Sequence, residues 1–408
     1  MKKILSLFLL ILIVCCFIEC TDSSAPVVKN PPRELSISEK AIVSSSQNFG
    51  LNLFREVNKE EGNNNVFISP LSVSMALGMT YNGADGITRE EMQKTLEFIG
   101  LSDKEINESY KNLINLLRGL DDKVIFQIAN SIWYRLGWQF EEDFLNINKT
   151  YFGAKISGLD FDDPQAPVII NKWVEDNTNG KIKEIVKPPI NPLTVMFLIN
   201  AIYFKGDWTY EFDKKLTQDG DFNKPDGSKV LCKLMEQKGK FQYFYNEDFQ
   251  AVDLPYGDGL YRMTVFLPRE TKDIDSFIEE FNNADWSKWM SSFTEQEGLL
   301  YLPKFKLEYE ISLNEVLKAL GMESAFTDKA DFTRMFKPGG LSVSEVKHKT
   351  YVDVNEEGTE AAAVTSVEVG YTSPHGFGML VNRPFVFAIR ENHSGTILFI
   401  GKIVEPKL

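Results

Sequence analysis

The stretch Glu356–Pro374 constrains the fold of this 408-residue chain more than any other. Every second residue from Thr359, namely Thr359, Ala361, Ala363, Thr365, Val367 and Val369, is small or β-branched and uncharged. The intervening set, Glu360, Ala362, Val364, Ser366, Glu368 and Gly370, carries both charges. Such alternation belongs to a strand with one face buried. Yet the run is long for a strand in its own right, and its alanines favour neither turns nor sheets. The pattern predicts a segment that is loop in one state and strand in another, with side chains small enough to enter an existing sheet without overpacking it. An Ala-rich surface loop or short helix is the plainer alternative.

A strand leads directly into it. Val346, His348, Thr350, Val352 and Val354 alternate with Lys347, Lys349, Tyr351 and Asp353, a half-buried signature. Thr194–Phe204 is almost wholly apolar and predicts a central strand covered on both faces. Pro384–Ile389 and Thr396–Ile403 predict a closing hairpin turned by Glu391–Gly395. Helical signals dominate earlier. Ser69 before Pro70 reads as a capped start running through Leu71–Met79. Within Ser102–Leu117, the residues Ile106, Tyr110, Leu113, Ile114 and Leu117 recur at helical spacing. Later, Ser312 and Glu315 predict a capping box ahead of Leu313, Val316, Leu317 and Leu320, with Gly321 as end cap. The fold class is α+β. From Leu35 onward there is no linker, charge block or repeat, so residues 35–408 are expected to form one domain.

The N-terminus reads as an export signal over residues 1–20. Lys2 and Lys3 precede the apolar run Ile4–Ile18, which is marginal for a membrane span. Cys20, followed by Thr21, Asp22, Ser23 and Ser24, resembles a bacterial lipoprotein site. Glu19 departs from that pattern, Cys15 and Cys16 are rival positions, and plain secretion is the alternative. Residues 21–34, with Pro26, Pro31 and Pro32, predict an extended tether. The protein is therefore expected in the cell envelope or the extracellular space, touching a membrane only through a lipid anchor. Three of four cysteines fall in the signal, so Cys232 has no intrachain partner and reads as a small buried hydrophobe.

Fifty-eight acidic against 44 basic residues give a formal charge of −14, which argues against nucleic acid and anionic membranes as partners. A basic, glycosaminoglycan-type cofactor site is not expected, on the same ground. The three histidines, His348, His375 and His393, are scattered, and no nucleophile elbow, metalloprotease helix or phosphate- or dinucleotide-binding loop is present. No metal or cofactor is expected, and no catalysis. Paired carboxylates such as Glu90-Glu91 and Glu141-Glu142 are what solvated faces of an acidic chain carry.

Val346–Thr350 running into Val354–Ala363 resembles the hinge of the serpin family. The likeness extends along the chain. Asn65–Ser72 resembles the family's shutter segment and is followed by Gly83–Thr88. Asn200–Trp208 resembles the central strand and its exit, and Leu302–Phe305, Arg383–Phe385 and Gly401–Pro406 resemble the closing motifs. It covers Leu35 to Leu408 in the family's order. The resemblance implies helices packed around a five-stranded central sheet with two smaller sheets, and an exposed reactive-centre loop at about 356–381. It implies a monomeric suicide inhibitor of serine, and also cysteine, endopeptidases. The target cuts the loop, forms an acyl-enzyme, and is carried away as the loop inserts into the sheet. A non-inhibitory carrier or chaperone is the alternative, disfavoured by Ala361, Ala362 and Ala363 in the hinge.

The same resemblance assigns residues. Glu356, Glu357, Gly358, Thr359, Glu360, Ala361, Ala362 and Ala363 form the hinge. Ser69, Ser72, Asn200 and His348 form the shutter, and Trp208, Lys304 and Glu356 the breach, with a Glu356–Lys304 ion pair. Counted from Gly358, the scissile bond is Thr372–Ser373. The stretch to Pro384 is about one residue longer than is usual, which leaves Tyr371–Thr372 as second choice. No Lys or Arg occurs from Thr359 to Val381, so trypsin-like targets are disfavoured. Thr372 suits elastase-like enzymes; Tyr371 suits chymotrypsin-like or papain-like ones.

Overall fold

A computed structural model describes residues 32–359 and 376–408. The signal, Cys20 and most of the tether lie outside the described residues, as do Glu360–Ala363, Tyr371, Thr372 and Ser373. In chain order the elements begin with α1 (Ile37–Glu61), β1 (Val66–Ile68), α2 (Pro70–Tyr81), α3 (Gly86–Thr95), α4 (Asp103–Leu117), β2 (Val124–Arg135), α5 (Glu142–Phe152) and β3 (Lys155–Leu159). Next come α6 (Gln165–Asn177), β4 (Met196–Asp207), β5 (Gln218–Asn223), β6 (Lys229–Tyr245), β7 (Phe249–Tyr256), β8 (Tyr261–Pro268), α7 (Ile274–Glu279) and α8 (Asn283–Met290). The last are β9 (Thr294–Pro303), β10 (Phe305–Ser312), α9 (Asn314–Ala319), β11 (Lys347–Val354), β12 (Gly358–Thr359), β13 (Phe377–Leu380), β14 (Phe385–Glu391) and β15 (Ile397–Ile403).

Local chemistry sets the helix starts. The Ser69 hydroxyl accepts from the Ser72 amide with Pro70 at the first helical position, and Ser102 with Glu105 closes a capping box on α4. Ile106, Tyr110, Leu113, Ile114 and Leu117 are all buried. The start of α9 differs from the sequence expectation. Ser312 is the last residue of β10, paired with Lys347, and Leu313 is the N-cap without a side-chain bond. Asn314 is tied instead to the chain before β11, accepting from the Val346 amide at 2.8 Å and donating to the Ser344 carbonyl. Cross-strand pairing outcompetes the local cap.

Two sheets carry the domain. The first runs β10-β11-β12-β4-β2-β3, which is five longer strands plus the two-residue β12. The expected smaller sheets run into one another: β6 is long enough to pair with β5 over Lys229–Leu234, β9 over Leu234–Tyr243 and β7 over Gln242–Tyr245, giving one nine-stranded sheet. Beside its edge strand β1, β15 and β14 pair antiparallel and every residue of both is buried. The main core lies between the two sheets and α1, α2 and α4. A second, smaller core under α6 gathers Trp133, Ile170, Val174, Ile182 and Ile199 against β2 and β4.

Candidate functional site

The described part of the expected hinge, Glu356–Thr359, reaches the first sheet where β4 ends. Gly358 pairs with Asp207, and Thr359 pairs with both Gly206 and Val354, so β12 stands between β4 and β11. Among the described residues β4 and β11 share no ladder pair, and β12 is the link between them. The approach is close because two glycines meet. A Cβ on Gly358 would lie 2.2 Å from the Gly206 carbonyl oxygen and 2.7 Å from Asp207 Cα.

The segment after β4 holds the turn that leads into β12. The Trp208 and Phe212 amides donate to the carbonyls of Glu357 and Glu356, each at 2.9 Å. Trp208 Nε1 donates to the Asn355 carbonyl at 2.9 Å. Glu356, buried, receives Lys304 Nζ at 2.8 Å on one oxygen and the Thr217 hydroxyl at 2.8 Å on the other. Burial pushes its carboxyl up, but Lys304 and Thr217 outweigh that and hold it below the usual carboxylate range. Glu357 pairs with Lys214. Under the strand, Thr359 Oγ1 lies 2.7 Å from the Tyr256 hydroxyl. Thr217, Lys214, Phe212 and Tyr256 carried no signal of their own in the sequence; only their nearness to Trp208, or to the end of a strand, could have marked them.

Below the hinge, three of the four predicted shutter residues come together. The Ser69 amide donates to His348 Nε2 at 2.9 Å, and the Ser69 hydroxyl donates to the Leu398 carbonyl at 2.6 Å. Burial pushes the His348 imidazole down to about 4, so it is neutral at pH 7 with its proton on Nδ1. Asn200 stands apart from this group. Its Nδ2 donates to Asn130 Oδ1 at 2.7 Å, and its own Oδ1, buried, has no partner among the described residues. Asn130 was not anticipated.

At the far end of the loop, β13 runs parallel to β9. Phe377 stacks on Tyr243 with ring centroids 3.8 Å apart, lying over Gly298, where a Cβ would meet the ring at 2.2 Å. Cys232 is buried, and burial pushes its thiol up to about 11, as suits a packing residue rather than a nucleophile. No group of three or more His, Cys, Asp or Glu among the described residues could hold a metal ion.

The chain matches the family model for "Serpin (serine protease inhibitor)" over residues 44–406. The chain belongs to the serpin family. It is 35% identical to the leukocyte elastase inhibitor of Equus caballus, across 89% of this chain and 99% of that one. The native state of the thermophilic serpin tengpin superposes with a TM-score of 0.83 at 34% identity, covering 93% of this serpin and 97% of tengpin. Human thyroxine-binding globulin in complex with its ligand matches at a TM-score of 0.82 and 28% identity, covering 91% of this chain and all of the other, 100%. The family thus includes protease inhibitors and a thyroxine-binding protein on one α+β fold.

Proposed function

We propose that this serpin is an exported suicide inhibitor of serine endopeptidases, elastase-like enzymes first, with chymotrypsin-like and papain-like enzymes as further targets. One observation carries the reading: the hinge is seated as β12 between β4 and β11. Continuing the Gly358–Asp207 and Thr359–Gly206 register turns Ala361, Ala363, Thr365, Val367 and Val369 to the side on which Thr359 is buried. That is the uncharged set, so a cut loop enters without burying a charge. Some 12 inserted residues at about 3.3 Å each span roughly 40 Å of sheet. The driving force is strand pairing and burial denied to the intact loop, so the starting state is held kinetically. Shutter and breach roles for Ser69, Ser72, Asn200, His348, Trp208, Lys304 and Glu356 belong to this proposal, as do cleavage at Thr372–Ser373 and lipidation of Cys20.

Incubation with neutrophil or pancreatic elastase is expected to leave an SDS-stable complex, cut by mass spectrometry between Thr372 and Ser373. Digestion by both without complex, and without a rise in melting temperature after loop cleavage, refutes inhibition and leaves the carrier alternative.

A further inference from the structure

A sealed phenol lies beneath the seated hinge. Tyr256, the last residue of β7, is fully buried. Its ring stacks on the Trp208 indole with centroids 4.3 Å apart and planes 11° from parallel, and it meets the Phe204 ring edge-on at 5.1 Å. Strand β4 crosses above it at Gly206, where a Cβ would press to 2.9 Å from Tyr256 Cδ1. Among the described residues, the hydroxyl has one hydrogen-bond partner, Thr359 Oγ1 at 2.7 Å, and Thr359 is only 2% exposed. Each hydroxyl therefore relies on the other for its hydrogen bond.

We propose that Tyr256 is a positioning residue for loop insertion: its hydroxyl selects a hydroxyl-bearing side chain at position 359 and holds the hinge seated before the loop is cut. This rests on the inhibitor reading above. Threonine meets both demands of the seat, being β-branched for the strand and hydroxylated for the phenol. A valine would set a methyl group against the phenol oxygen. Withdrawal of the hinge takes from a buried hydroxyl its partner, which biases the seated form by about tenfold. With Thr359 already registered on Gly206 and Val354, insertion after cleavage extends an existing pairing and needs no new nucleus.

Amide hydrogen exchange of the Asn355–Thr359 segment in the intact protein, together with the stoichiometry of inhibition, tests this. Tyr256→Phe and Thr359→Val should each speed exchange about tenfold and raise the number of inhibitor molecules consumed per protease. Thr359→Ser should restore both, and Tyr256→Phe combined with Thr359→Val should be no worse than either alone. Unchanged exchange in both single variants, additive effects in the double variant, or faster exchange with unaltered stoichiometry overturns the proposal. Should Tyr256→Phe fail to fold, Thr359→Val and Thr359→Ser carry the same comparison from the other partner. A wild-type protein that forms no protease complex, yet shows the exchange effect, overturns the inhibitor reading and keeps the seat.

Discussion

Acid should weaken this fold through one imidazole. His348 is buried on the inner face of β11, and its Nε2 accepts the Ser69 amide proton where β1 passes into α2. A second proton would bring a charge into the core and abolish that acceptor. Its folded value of about 4 lies below the unfolded histidine near 6.5, so the unfolded chain binds more protons between those two pH values. The stabilising contribution is therefore complete above about pH 6.5, falls as pH drops, and is gone below about pH 4. Each unit is worth about 1.4 kcal/mol, which makes the loss about 3 kcal/mol. Urea unfolding midpoints from pH 7.5 to 4, compared between wild type and His348→Gln, isolate it. The glutamine carbonyl can accept from Ser69 without titrating, and carboxylates such as Glu356 titrate in both proteins and cancel. The wild type should lose about 3 kcal/mol more than the variant over that range. Parallel curves would refute the reasoning.

Two further outcomes follow from the same side chains. Lys304→Met leaves a buried carboxylate at Glu356 with only Thr217. It should destabilise by about 2–4 kcal/mol, and adding Glu356→Gln should recover much of that in a double-mutant cycle of unfolding; no coupling would remove the ion pair from the account. The Cys232 thiol, buried and pushed up to about 11, should react with a thiol reagent at pH 8 only on unfolding. Rapid labelling of the native protein would contradict its burial.

What the sequence disclosed was whatever is decided locally. The alternation in β11 was legible because one face is buried, and His348, Thr350, Val352 and Val354 of the expected set point inward, while Val346 falls just before the strand and is half-buried. Ser69 and Ser102 were legible as caps because cap and helix are neighbours in the chain. The α9 start was not, since Ser312 is claimed by Lys347 across a sheet. The hinge residues were named by resemblance, but the side chains that grip them were hidden. Thr217 reaches Glu356 over a separation of 139 residues, and Tyr256 reaches Thr359 over 103. Asn200 shows the same limit. Its apolar surroundings predicted a central strand, whereas its partner Asn130 follows from the register of β2 on β4. No periodicity within one segment encodes a partner in another.

The all-buried pair β14 and β15 has a consequence for how the molecule is made. These strands lie second and third from the β1 edge of the nine-stranded sheet, yet in the chain they follow every other strand of it. Until they emerge, β1 lacks its pairing strand β15 and β8 lacks β14. Asn65 waits for the residues after β15, accepting from the Val404 and Glu405 amides and donating to the Glu405 carbonyl at 2.7 Å. At about 5–20 residues per second, a ribosome that has already made every other strand needs roughly one to four seconds more to add this hairpin. A messenger truncated just before Phe385 would thus yield no half-stable domain, only a chain missing its keystone and exposing two unpaired strand edges to its neighbours.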